Sequence, residues 1–211
     1  GTTALDAVTT GDSNTALGYD ALTANTTGSF NTAVGYQSLD SNIGGHRNTA
    51  SGYQSLQANT DGQRNTGTGM YRLYANISGD YNTAYGYESL KLNTGSNNTA
   101  FGYQSGDVIT SGSNNTIIGV GSDPSANNAT NQTVLGQGAT GQADNSVTLG
   151  NADVTAIYMA QDVGATIYAS SLDASGSAGI VLENDETVTN STNGTVLING
   201  TVAGGTGSAA G

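Results

Sequence analysis

Residues 48–64 read NTASGYQSLQANTDGQR and contain every fixed position of a unit that recurs along most of this chain. The unit has 17 residues and the form N-T-A-x-G-Y-x-S-L-x-x-N-T-x-G-x-x, in which x varies between copies. Its first Asn recurs every 17 residues, with a single step of 16, at Asn14, Asn31, Asn48, Asn65, Asn82, Asn98 and Asn115. Gln132 takes the same place in the next unit. Such a period is typical of solenoids, in which units too small to bury a core alone stack on their neighbours.

Two columns of glycine divide each unit. The first column runs from Gly18 to Gly150 and the second from Gly11 to Gly112. They predict two corners per turn, at which the backbone needs a positive φ or approaches the next turn closely. The segments between the corners are rich in Thr, Val, Ile and Tyr, the residues that favour strands. We therefore predict an all-β fold, a parallel β-solenoid whose repeat array covers residues 1–150.

Two neighbouring columns predict which side of each strand is buried. One holds small residues, beginning with Ala16 and Ala33, whereas the next varies in size, beginning with Leu17 and Val34. Successive strand residues point to opposite faces, so we expect the small column inside and the variable column outside. A coil this narrow buries little apolar surface, which favours lateral association through the variable column. The recurrent Asn is expected to form a structural hydrogen-bonded ladder between turns.

The pattern loosens after Gly136, and we place a boundary near Asn151. Residues 151–211 contain strand-like pieces at 154–160, 165–169, 179–184 and 195–200, and they end in the Gly/Ser-rich stretch AGGTGSAAG. We expect a smaller β-rich C-terminal segment that finishes in a flexible linker. Residues 1–5 match residues 18–22, so the array begins in mid-unit, and we expect the chain to be a piece of a longer protein.

The charge of the chain argues against several classes of partner. Only 9% of the residues are charged, against roughly 25% in ordinary globular proteins, and the net charge is -12. Nucleic-acid binding needs clustered Lys and Arg, of which the chain has four in total. No apolar run approaches the ~20 residues of a membrane span. We expect neither a nucleic-acid partner nor insertion into a membrane.

Residues that could carry chemistry are few and follow the repeat. His46 is the only histidine, there is no Cys, and His46 occupies a column of polar turn residues. A zinc site or a Ser-His-Asp triad is therefore not supported. Acids such as Asp80 and Glu88 also lie in repeat columns, which favours an exposed face over a glycan-cleaving pair. We expect no enzyme activity, no catalytic or metal site and no cofactor.

Three sets of residues are candidates for surface recognition or for packing between turns. One column reads Phe30, Arg47, Arg64 and Tyr81, which predicts cation–π contacts along the stack. The stretch GMYRLY at 69–74 departs from the repeat and brings in Tyr71, Arg72 and Tyr74. A Tyr column, which begins with Tyr19, is expected to pack ring on ring. Recognition of a cell-surface glycan or protein receptor stays open beside stacking for the first two sets.

The motifs NTAVGYQSL at 31–39 and NTAFGYQS at 98–105 resemble repeats of phage tail fibres. They are also similar to the N-S-x-A-x-G repeats in the heads of trimeric autotransporter adhesins. The resemblance covers roughly residues 1–169, with DNSVTLGNADVTAIYMAQDVGATIYA at 144–169 resembling the segment that follows such arrays. It implies a left-handed parallel β-roll, a homotrimer, and a structural role on a virion surface or in the extracellular space, in support of host attachment.

Two other functions stay open besides the tail fibre. The head of a bacterial trimeric adhesin, which binds host or matrix surfaces, is the nearer alternative. An ice-binding solenoid is the further one, because Thr15 and its equivalents form a Thr column. Ice-binding solenoids usually show paired Thr columns as T-x-T, whereas the residue two places after Thr15 is Leu17 and its equivalents are mostly not Thr.

Overall fold

The computed structural model describes residues 3–155 and 157, and among those residues it contains nine short β-strands and no helix. The strands are β1 (Thr15–Leu17), β2 (Thr32–Val34), β3 (Thr49–Ser51), β4 (Thr66–Thr68), β5 (Thr83–Tyr85), β6 (Thr99–Phe101), β7 (Thr116–Ile118), β8 (Gln132–Leu135) and β9 (Ser146–Leu149). Each of β1 to β7 begins directly after the first Asn of its unit, whereas β8 and β9 begin at the equivalent position, which Gln132 and Ser146 occupy. All nine strands end just before a Gly of the first column.

All nine strands form one parallel sheet in the order in which they occur along the chain. Each strand pairs with the equivalent residues of the next unit, so that Thr15 lies beside Thr32 and Ala16 beside Ala33. The chain therefore completes one turn of the solenoid per unit. About eight turns, stacked at the ~4.8 Å spacing of neighbouring strands, give a length of about 38 Å. The prediction of an all-β parallel solenoid is confirmed.

The two glycine columns turn the chain in different ways. Gly35 has a φ of 132°, and a Cβ placed on it would lie 2.5 Å from the carbonyl oxygen of Gly52 in the next turn. Gly45, in the second column, has no positive φ, but a Cβ there would lie 2.5 Å from the carbonyl oxygen of Gly62. The first corner thus needs glycine for its backbone angle and for space, whereas the second needs it for space alone.

The core is a narrow stack of two kinds of apolar side chain. Ala33 and its equivalents in the small column are buried, as the alternation predicts. They pack against a column of fully buried leucines, Leu22, Leu39, Leu56, Leu73 and Leu90. These leucines have φ values between 45° and 53°, a left-handed conformation that costs an L-residue about 1–2 kcal/mol. Burial of the leucine side chains, worth roughly 1.5–3 kcal/mol each, offsets that cost.

The Asn ladder predicted from the repeat is confirmed, and it joins side chains to the backbone. The Oδ1 of Asn48 accepts a bond from the backbone N–H of Asn65 at 2.9 Å. The Nδ2 of Asn48 donates to the carbonyl of Gly62 at 2.7 Å. The same pair of bonds repeats from Asn14 to Asn115, and Gln132 extends the ladder by donating its backbone N–H to Asn115. Each amide therefore ties its own turn to the following one at two points.

Most of the predicted C-terminal segment, 151–211, lies outside the described residues. The same is true of its linker, of most of the strand-like piece at 154–160 and of the pieces at 165–169, 179–184 and 195–200. The described part stops at residue 157, shortly after the boundary that we placed near Asn151. In the part of the chain that the structure describes, no helix has the length and apolar character to cross a membrane.

Candidate functional site

The outward side of the sheet carries the variable column, and much of it is apolar and exposed. Leu17 is 62% exposed and Phe101 54%, although both side chains are large and hydrophobic. Tyr85 stacks on Phe101 with ring centroids 4.9 Å apart and planes within 6°, which forms a flat aromatic ridge. Ile118 and Leu149 continue the apolar line toward β9. Exposed apolar surface of this extent is typical of an interaction surface.

The column of Phe30, Arg47, Arg64 and Tyr81 forms two separate cation–π pairs. The guanidinium of Arg47 lies 5.4 Å from the ring centre of Phe30, and that of Arg64 lies 5.0 Å from the ring centre of Tyr81. Arg64 also donates a short hydrogen bond to the hydroxyl of Tyr81. The prediction of cation–π contacts along the stack is confirmed. Each guanidinium contacts an aromatic ring of an adjacent turn, so that each pair links two successive turns at one corner.

The Tyr column also packs as predicted. Tyr19, Tyr36 and Tyr53 stack with centroid distances of 5.4 and 5.1 Å, and Tyr87 stacks on Tyr103 at 5.3 Å. In a stack of this kind the ring faces cover one another, so that mainly ring edges and hydroxyls meet the solvent. Such a surface offers little ring face for a sugar to lie on.

The departure at 69–74 interrupts that stack. Met70 replaces the column Tyr, and Tyr71 instead meets Tyr53, Tyr74 and Tyr87 edge to face, at 5.4, 5.9 and 6.4 Å. Lys91 lies 5.7 Å from the centre of the Tyr71 ring. Tyr71 and Tyr74 are half-buried, so this aromatic cluster is partly open to solvent.

Arg72 does not lie on the surface where the sequence analysis placed it. The side chain is only 5% exposed, and its Nε and Nη1 are buried without a hydrogen-bond partner. It fits because two neighbours are glycines: a Cβ on Gly69 would lie 2.0 Å from the guanidinium carbon, and Gly67 replaces the Ala of the small column. Burial lowers the pKa of Arg72 to about 10.

Two acidic side chains have pKa values that their surroundings shift. The Lys91 ammonium pairs with Glu88 at 2.6 Å, and the bonds from Lys91 and Gln104 lower the pKa of the Glu88 carboxyl. Burial, with a smaller contribution from the charge of Asp107, raises the pKa of Asp123 to about 6. Within the described part, no group of three or more His, Cys, Asp or Glu side chains is placed to hold a metal ion.

His46 occupies a turn, as predicted, and its ring has a structural contact. The Nδ1 of His46 accepts a hydrogen bond from the backbone N–H of Ser29 at 2.9 Å. Asp80 does the same for the N–H of Gln63 at 2.7 Å, so this polar column caps the backbone of the preceding turn. The column therefore contributes to stacking between turns through its side chains.

A second Asn ladder was missed in the sequence analysis, although the second Asn of the unit marks it. Asn42 donates from Nδ2 to the Oδ1 of Asn25 at 2.7 Å, and Asn59 and Asn76 continue the chain of amides at 2.8 and 2.9 Å. The ladder stops at Asn76, whose Oδ1 is buried without a partner. The following unit is one residue shorter, and its Asn93 instead accepts from Asn98 at 2.9 Å. The missing residue therefore leaves a buried acceptor unsatisfied.

Comparison with protein-family models gives no match, and a search of curated proteins finds no similar sequence.

Proposed function

We propose that this chain is a structural, non-catalytic segment of a phage tail fibre. In this proposal three copies associate side by side, each as a left-handed β-roll, and they hold the host-attachment parts of the fibre away from the virion. The site of action is the virion surface or the extracellular space, and the ultimate partner is a cell-surface glycan or protein receptor. The repeat motifs at 31–39 and 98–105 support the assignment to tail fibres.

The exposed apolar column of the outer sheet face is the observation that carries the proposal. Leu17, Tyr85, Phe101 and Ile118 each leave at least 40% of the side chain exposed in the single chain. Full burial of a side chain of this kind is worth roughly 1.5–3 kcal/mol, so covering the column against other copies would be strongly favourable. A straight, regular column is also what a symmetric assembly needs, because every copy presents the same residue at the same level.

The regular side-chain ladders support a mechanical role. Successive turns are joined by backbone bonds and by two amide bonds of each Asn in the first ladder, and several are also joined by stacked rings. Stability in such an array is a sum of similar interfaces between neighbours, which suits a segment that has to keep its length under load. The head of a bacterial trimeric adhesin would use the same geometry, and it stands as the alternative function.

Light scattering coupled to size exclusion tests the assembly directly. We expect a mass of three times 21.0 kDa that persists on dilution. The variant Phe101→Ser introduces the residue that Ser51 supplies at the equivalent position, and we expect it to weaken the trimer. Leu92→Ser is the matched control, because Leu92 is also exposed but lies outside the strands. A folded wild-type monomer, or equal weakening by both variants, would contradict the proposed interface.

A further inference from the structure

The apolar column of the outer face has a polar interruption at β3 and β4. Ser51 and Thr68 occupy the variable column there, between Val34 on β2 and Tyr85 on β5. Both side chains are much smaller than the stacked ring of Tyr85 on the next strand. If the outer faces of several copies meet, these two levels leave space, and that space is lined by hydroxyl groups.

Arg72 ends beside this interruption. Its guanidinium lies against Gly69, the residue that follows Thr68, and takes the room in which neighbouring turns normally touch. Elsewhere in the array the first-column glycine donates its N–H to the preceding turn, as Gly102 does to Tyr85 at 2.7 Å. Within the described residues, the equivalent bond from Gly86 to Thr68 is absent. The arginine therefore separates two turns at their corner.

The guanidinium also lacks a counter-ion. The ion pair between Lys91 and Glu88 is the only salt bridge of the described residues. Two of the nitrogens of Arg72 are buried without partners, which is costly for a charged group unless something neutralises it. All the other turns from β2 to β6 carry Ser at this position, Ser38, Ser55, Ser89 and Ser105, so the repeat itself does not require an arginine.

In a symmetric assembly the strands of another copy offer no carboxylate for this need. Copies related by a rotation axis present the same residues at the same level. The strands have two outward columns, the Thr column and the variable column. From β1 to β9 neither of them contains Asp or Glu. The outward strand columns therefore supply no carboxylate at this level, whereas a bound anion would neutralise the charge.

We propose that three copies of the chain enclose a small oxyanion, of the sulfate or phosphate class, between their Arg72, Ser51 and Thr68 side chains. This inference rests on the proposed trimeric function. The Nε and Nη1 of Arg72 are enclosed within the single chain, so the anion would meet each guanidinium through Nη2, which makes no hydrogen bond in the described residues. An oxyanion accepts several charge-assisted N–H bonds at once, here one from each of the three copies. The hydroxyls of Ser51 and Thr68 add further donors. Such a site would explain the polar interruption, because the bound anion fixes the level at which the three copies align.

Thermal unfolding with added sodium sulfate tests the site, with ionic strength held constant by sodium chloride. Because one anion is shared by three chains, sulfate at about 100 times its Kd should raise the Tm of the wild type by roughly 2–4 °C. Sulfate also stabilises proteins in general, so the informative quantity is the difference between variants. Arg72→Ser should lose the increase, whereas Arg64→Ser, which removes an exposed arginine of equal charge, should keep it. Crystals of the wild type grown with selenate provide a second measurement that needs no variant.

The outcomes separate this inference from the function on which it rests. Loss of the sulfate effect in Arg72→Ser alone, or an anomalous selenium peak among three Arg72 side chains, supports the site. A trimer whose Tm responds equally to sulfate in the wild type and in Arg72→Ser overturns the anion site and leaves the fibre proposal standing. A wild-type monomer overturns both, whatever the sulfate response.

Discussion

Replacement of Asn65 by alanine provides a direct measure of what the first Asn ladder contributes. Asn65 is fully buried, accepts a bond from the N–H of Asn82 at 2.9 Å and donates to the carbonyl of Gly79 at 2.7 Å. In the alanine variant the N–H of Asn82 loses its partner, which costs about 1–3 kcal/mol. The carbonyl of Gly79 keeps a bond from Asn76 at 3.0 Å, so its loss is limited to about 1 kcal/mol.

The expected destabilisation is therefore about 2–4 kcal/mol per chain, and the expected fall in Tm is roughly 5–15 °C. The assay is thermal unfolding followed by circular dichroism, with all proteins at one concentration because the Tm of an oligomer depends on it. Asn128→Ala is the matched control, since that side chain is exposed and makes no hydrogen bond. If Asn65→Ala and Asn128→Ala unfold within about 2 °C of each other, the ladder does not stabilise the stack and our reasoning is wrong.

Three further predictions concern a corner, a titrating group and the short unit. Gly35→Ala should prevent normal folding, because the new Cβ would overlap the next turn. Gly121 also has a positive φ, of 58°, but a Cβ built there has no other atom within 4 Å, so Gly121→Ala should cost only about 1–2 kcal/mol of stability. The two glycine variants are compared by soluble yield and Tm, and equal behaviour would contradict the close-approach argument. Asp123→Asn should raise stability by roughly 1 kcal/mol above about pH 6, where the wild type must ionise a carboxyl whose pKa is raised by burial. The gain should vanish below about pH 4, where the unfolded carboxyl is protonated as well, and a gain that does not change with pH would exclude this cause. Insertion of one Ser between Thr94 and Gly95 should restore the 17-residue unit and give the unpaired Oδ1 of Asn76 a hydrogen-bond donor. We expect the free energy of unfolding, measured by denaturant titration, to rise by about 1 kcal/mol. A loss of stability would show that the short unit is already well packed.

The architecture was predictable because the repeat fixes register as well as strand position. The buried Asn of a turn makes all its hydrogen bonds only when it lies next to the equivalent residues of the neighbouring turn. One alignment of the units is therefore much more stable than any other. The alternation of Ala33 and Val34 then identifies the inner and outer faces. These inferences need only the spacing of residues along the chain.

Other features depend on backbone angles and local space that a pattern of residues does not show. Leu39 and Arg47 adopt positive φ, which side chains of these types avoid on their own and accept here because the stack imposes it. Arg72 was predicted at the surface because the stretch 69–74 departs from the repeat, but the glycines at 67 and 69 provide the room that buries it. The cation–π pairs were predictable, since the residues of one column lie in contact.

The first Asn ladder has a consequence for how such chains vary in length. Each unit uses the acceptor of the unit before it and provides an identical one to the unit after it, so that any two units can be joined. Gain or loss of a whole unit leaves the bonds of the first Asn ladder in the neighbouring units unchanged. Recombination between the repeats of one gene can therefore lengthen or shorten the array in steps of about 4.8 Å without any compensating mutation. The reach of the protein can thus change while the bonds that join its turns are kept.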